Sequence, residues 1–121
     1  MSGISNYMED RLLNNLRNTS GAVAAVWVKL HISDPGETAT SGAATEATRK
    51  SISFSAASGG EMASSGTVTW TNVSTTETYS HFSLWDAESS GNALWKGALS
   101  STAAVTAGDT FNITSLTLTL D

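Results

Sequence analysis

Apolar residues recur at spacings of three and four at the start of the chain, then at a spacing of two almost everywhere after Gly21. Ile4, Tyr7, Met8, Leu12, Leu13 and Leu16 fall on one stripe, which predicts an amphipathic helix over about 5–17. Ser5 or Asn6 supplies its N-cap, Glu9 and Asp10 suit its positive end, and Asn18-Thr19-Ser20-Gly21 stops it. A helix of about 13 residues is marginal alone in water, so the stripe has to dock, with Leu12 and Leu16 as candidate contacts.

Val26, Val28, Leu30 and Ile32 alternate with Trp27, Lys29 and His31, a strand with one apolar face that Asp34-Pro35-Gly36 ends as a turn. A polar, small-residue loop from Glu37 to Thr48 follows, expected to move or to touch a partner. Ile52 and Phe54 mark a short strand ended by Ser58-Gly59-Gly60, and Val68 and Trp70 mark another. His81 to Trp85 forms a hairpin with Ala93 to Ser100 across a turn containing Ser89-Ser90-Gly91-Asn92.

After Gly108-Asp109 the frame shifts. Phe111 and Ile113 are odd-numbered, while Leu116, Leu118 and Leu120 are even, which requires a bulge or corner near Thr114-Ser115. About six short strands with turns between them predict an antiparallel β-sandwich or barrel, jelly-roll-like, behind one N-terminal helix. The whole of 1–121 reads as a single domain, with the β part over about 22–121.

Charged residues are only 14% of the chain, and Ser and Thr take their place between the apolar positions. Such a surface suits strands, and it suits being covered, because burying a hydroxyl costs less than burying a charge. The net charge is −5, and the six basic residues, Arg11, Arg17, Lys29, Arg49, Lys50 and Lys96, are scattered. Phosphate neutralisation needs a clustered basic face, so no nucleic-acid partner is expected. No run approaches the roughly 18 apolar residues of a membrane span, and the start lacks the pattern of a secretion signal, so no membrane is expected either. There is no cysteine, hence no disulfide and no thiolate metal site.

Two histidines sit in similar contexts, His31-Ile32-Ser33-Asp34 and His81-Phe82-Ser83-Leu84-Trp85-Asp86. They could be ligands or part of a hydrolytic Ser/His/Asp group, but no Gly-x-Ser-x-Gly elbow and no third ligand accompany them. They read as strand surface or interface. Asp86 and Glu88 flank a turn, where Asp serves the backbone. The Asn-x-Ser/Thr triplets at Asn18, Asn72 and Asn112 are what a Ser/Thr-rich chain gives by chance. No catalytic residue, cofactor or metal is expected. Of the four tryptophans, Trp70 shares parity with Val68 and belongs to the core, while Trp27 and Trp85 lie opposite the apolar positions of their strands, on a face that either meets a partner or is a second buried one. The candidate interface residues are therefore Leu12, Leu16, Trp27, Trp85, and the loop bounded by Glu37 and Thr48.

The run Ser2-Gly3-Ile4-Ser5-Asn6-Tyr7-Met8-Glu9, then Val28 to Gly36, Ser51 to Gly60, His81 to Ala87, Gly91 to Leu99, and Gly108 to Asp121 resembles a family of small tailed-phage structural proteins. Its members are described as tail-fibre-like or as virion proteins, and the resemblance carries over no catalytic residue. This chain has Thr45-Glu46-Ala47-Thr48 where the family is Gly-rich with an aromatic residue. The resemblance implies a virion protein assembled in the bacterial host cytoplasm. The first expectation is a capsid cement or decoration protein on the major capsid protein. The alternative is a tail-fibre or tail-tip component meeting tail proteins and the host. A homo-oligomer, a trimer by analogy with other decoration proteins, is expected in either place.

Overall fold

The structure is a computed structural model that describes residues 3–17, 23 and 25–119. The expected helix stop at Asn18 to Gly21 and the final apolar position, Leu120, lie outside the described residues. The fold is mainly β, with antiparallel sheets arranged as a sandwich that does not close into a barrel.

Strand β1 (Gly3–Ile4) leads into helix α1 (Asn6–Asn15). Ser5 caps the helix: its hydroxyl accepts from the Met8 backbone N–H at 3.2 Å and donates to the Ala93 carbonyl. Its own N–H donates to the Leu94 carbonyl at 3.0 Å, so the cap also ties α1 to the sheet. Strands β2 (Val26–His31), β3 (Lys50–Ile52), β6 (Glu77–Trp85) and β7 (Ala93–Val105) complete a five-stranded sheet in the order β1-β7-β6-β2-β3. The opposing layer is two antiparallel pairs, β4 (Glu61–Ala63) with β9 (Thr117–Thr119), and β5 (Val68–Trp70) with β8 (Phe111–Ile113).

One core joins the layers. Val28, Leu30, Phe82 and Leu84 from the large sheet meet Val68, Trp70, Ile113, Leu116 and Leu118 from the other. Phe111 links them further, with its ring centroid 5.7 Å from that of Trp70 and 5.1 Å from that of Tyr79. The inward parity of β6 changes partway, from Tyr79 to Phe82 and Leu84, and the register against β7 slips between Tyr79 and His81. A second slip, between Leu84 and Trp85, lets Leu94 join Trp95 against the core while Ala93 packs with Trp85. Bulges of this kind add a residue to one strand and redirect side chains.

The frame change expected near Thr114-Ser115 is a break between strands. Ile113 and Leu116 are both buried, and β8 and β9 pair with different partners on either side of the break. The helix stripe docks over only part of its length. Tyr7 and Met8 pack on the core and Leu12 is half-buried, but Leu13 is 63% and Leu16 86% exposed. Leu16 is therefore not a core contact, because the helix ends there and runs beyond the sheet it rests on.

Leu30→Ala is expected to cost about 2–5 kcal/mol, the range for a fully buried leucine. Leu16→Asp, on an exposed position, should change stability by no more than about 0.5 kcal/mol. Urea unfolding of both variants checks the pair, and a large loss in Leu16→Asp would mean the helix end is packed.

Candidate interaction site

Strand β6 is central and two-sided, so its outward residues need cover as much as its inward ones. Ser83 is 0% and Trp85 8% exposed, on the face turned away from the core. Beside them on β2 lie Trp27 and His31, and on β7 Lys96, which register places on the same face. The segment 33–48 folds back over this face. Its return limb bonds to the edge of β2, with the Ile32 N–H donating to the Gly42 carbonyl at 2.7 Å and the Ala44 N–H to the Leu30 carbonyl at 3.1 Å. Gly42 has φ +60°, and a Cβ there would lie 2.0 Å from Ser33 Oγ and 2.9 Å from its carbonyl oxygen, so only glycine fits this closure.

Beneath the loop the polar groups form a directional chain. The Trp85 indole N–H donates to Ser83 Oγ at 2.7 Å. The Ser83 hydroxyl stands 2.7 Å from His31 Nε2, and His31 Nδ1 stands 2.8 Å from the Ser41 carbonyl oxygen. A carbonyl only accepts, so Nδ1 carries a proton, and in the neutral ring, which burial favours, Nε2 accepts from the Ser83 hydroxyl. Burial pushes the His31 pKa below its ordinary value of 6.5, and the Lys29 and His81 charges add to this against the Ser41 carbonyl. The Ser83–His31 spacing is that of a nucleophile and its base, but both residues are fully buried and a backbone carbonyl holds the ring. Their evident work is to seal the loop.

Charged groups tie the loop down at its ends. Lys96 is buried, with Nζ 3.3 Å from Asp34 Oδ1 and 4.0 Å from Glu37 Oε1. The Gly36 N–H and then Lys96 hold the Asp34 carboxyl well below the usual carboxylate range. At the far end the Glu77 carboxylate accepts the Thr45 and Glu46 N–H groups, each at 3.0 Å, and Glu46 accepts the Ser74 N–H at 3.0 Å. Burial, then the charges of Glu77 and Glu46, push the nearby Tyr79 hydroxyl up to about 12. Arg49 lies 4.2 Å over the Trp85 ring and donates to the Ala87 and Ser90 carbonyls, so it also grips the β6–β7 turn.

A different surface opens on the inner side. Between α1 and the segment from Phe54 to Met62 lies a half-open groove of about 350 Å³. Its walls are almost wholly apolar: Met8, Leu12, Phe54, Met62, Trp95 and Leu118 supply much of them, with Glu61 at hand as a carboxylate. Such a groove can seat an aliphatic or aromatic side chain, and Glu61 is the one ionisable group among its described lining residues. Among the described residues no group of three or more His, Cys, Asp or Glu could hold a metal ion, and no helix is long and apolar enough to cross a membrane.

The residues singled out from sequence are thus dispersed. Leu12 lines the groove, and Leu16 projects beyond it. Trp27 is half-buried on the outer sheet face, opposite Trp85 in register. Trp85 does not stand outward as its parity suggests, because the loop buries it. Glu37 is exposed beside Lys96, and Thr48 is exposed while its carbonyl accepts the Trp70 indole N–H at 2.8 Å. His31 is buried rather than on the surface, whereas His81 is half-buried with Nδ1 2.8 Å from Ser80 Oγ. The loop itself is a packed cover, with Ala39, Ala44 and Glu46 buried. The groove was missed from sequence because Met62 and Trp95 belong to segments with no clear period-two signal.

Two outcomes test the relay. Ser83→Ala strands the indole N–H and the imidazole acceptor, at a cost of about 1–3 kcal/mol. A histidine whose folded pKa is depressed contributes fully above 6.5; that contribution falls as pH drops below 6.5 and levels off beneath the folded value. Denaturant midpoints above and below pH 6.5 should therefore fall with acid in the wild type, and His31→Gln should flatten that part of the profile. An unchanged slope in the variant would assign the acid effect elsewhere.

The family described as podophage GP4 fiber I protein gp80 matches residues 3–121. No protein of curated function matches the chain. The match spans nearly the full length, and the chain belongs to this family of phage virion structural proteins of tail-fibre type.

Proposed function

From this membership we propose that the chain is a fibre component of a short-tailed phage, joined to tail proteins and involved in host attachment. The single observation that carries the proposal is the match to a fibre family over residues 3–121. It favours the tail over the head, and with it the tail-fibre alternative over the cement protein that the low charge first suggested. The physical properties fit a part held by other proteins. The surface is rich in Ser and Thr and poor in charge, which lowers the cost of covering it. The apolar groove beside α1 is the natural seat for an anchoring side chain of a tail partner, since buried aliphatic and aromatic anchors dominate interface energy. Several copies meeting one tail would add their modest contacts by avidity.

Copy number in purified particles decides between tail and head. A fibre component should be present in a small number of copies per particle, and antibody labelling should mark the tail end. Copies in proportion to the major capsid protein, with label spread over the head, would restore the cement reading. Ala57→Asp tests the groove separately, because Ala57 lies on its wall yet is exposed. It should lower incorporation into particles several-fold while leaving the circular dichroism of the isolated chain unchanged.

A further inference from the structure

Helix α1 carries a second surface, on the side not used by the groove. Glu9, Leu13, Leu16 and Arg17 follow one another at spacings of four, three and one, which puts them on one stripe of the helix. All four are exposed, and Leu13 and Leu16 are two of the three large hydrophobic residues exposed among those described, with Ile32 the third. The stripe has an acid at its start, leucines in its middle and a base at its end. The Arg17 guanidinium makes one weak hydrogen bond, at 3.4 Å to Asn14 Oδ1 in the last turn of the helix.

We propose that this stripe binds the same stripe of a second copy, with the two helices antiparallel about a twofold axis at Leu13. Residues equidistant from the axis then face each other. Leu13 meets Leu13 of the second copy, and Glu9 meets Arg17 at both ends, each about 6 Å along the helix from the axis at the 1.5 Å rise per residue. Leu16 comes over the middle of the helix of the second copy, beside Asp10. A parallel arrangement would instead set Glu9 on Glu9 and Arg17 on Arg17, so the charge pattern selects the antiparallel one. The contact is isologous, and one patch serves both partners. A ten-residue helix gives far less area than the roughly 1,200–2,000 Å² of a standard interface, so the pair is weak in dilute solution and is strengthened where copies are held together on the particle. This pairing goes beyond the fibre reading and stands independently of where the chain sits on the virion.

The cysteine-free chain makes the test clean. Leu13→Cys places a single thiol on the proposed axis, where two copies can form a symmetric disulfide. Ser89→Cys, on the exposed β6–β7 turn, measures collision alone. Under mild oxidation Leu13→Cys should dimerise many times faster than Ser89→Cys. Adding Glu9→Arg or Arg17→Glu should each slow it several-fold, and both together should bring the rate back. The restoration is informative because the double variant still has a base in the first turn, where the helix dipole disfavours it. Recovery therefore cannot come from a more stable helix. Equal rates for the two cysteine positions would overturn the proposal. So would charge reversals that leave the Leu13→Cys rate unchanged, or a double variant that stays slow.

Discussion

The outer half of this fold hangs on one hydroxyl. Ser83 accepts the Trp85 indole N–H and donates to His31, and no other residue type of its size could do both in a space closed to water. With that oxygen in place, an indole and an imidazole can lie buried on the far side of a central strand without an unmet polar group between them. The loop from Ser33 to Thr48 can then close over the face, held at one end by Asp34 and Lys96 and at the other by Glu77. Without it, two buried polar groups lose partners together, and the cover has nothing to complete. The strand that organises the main core thus also organises a second, smaller one, made of Trp85, Ala39 and Ala93.

This arrangement divides the surface by role. The outer sheet face, which looks from the sequence like a place for partners, is covered around His31, Ser83 and Trp85 by the protein's own loop. The α1 end carries a groove walled by apolar side chains and, beyond it, a short stripe of leucines bracketed by opposite charges. Both depend on Ser5, whose hydroxyl and N–H fix the start of the helix to β7. A helix this short gains its stability from that attachment rather than from its own turns. The placement of the groove and the stripe is therefore joined to the sandwich at one residue.

Much of this was legible in the chain, and the failures share causes. The helix, the β2 strand, the β6–β7 hairpin and the frame change after Ile113 all rest on periodicity, which reports which side of an element is dry, while residue type narrowed the helix cap to Ser5 or Asn6. Periodicity reports one dry side directly, so it left Trp85 open between a partner contact and a second buried face and set His31 at the surface or an interface, where a loop in fact makes their side dry as well. It also assumes an unbroken ladder. The slip between Tyr79 and His81 hid the first third of β6, and β4 was too short and too polar to register. Leu16 continues the stripe by spacing, yet lies past the end of the surface that Leu12 rests on; how far a neighbouring sheet extends is not written in the helix. The loop's burial could have been suspected from Gly42 and from the small residues Ala39, Ala43 and Ala44, which let backbone lie close to a sheet.

The tie between Ser5 and Ala93 joins residues 88 apart in sequence. Everything in α1 is synthesised long before the strand it rests on exists. Until β7 leaves the ribosome, the helix has no sheet to dock against, and at its length it cannot hold its shape alone. Its leucines and methionine are then open to any other apolar surface, including the same segment of neighbouring nascent chains. Closing the sandwich is correspondingly a late, non-local event, of the kind that makes β-rich domains fold slowly.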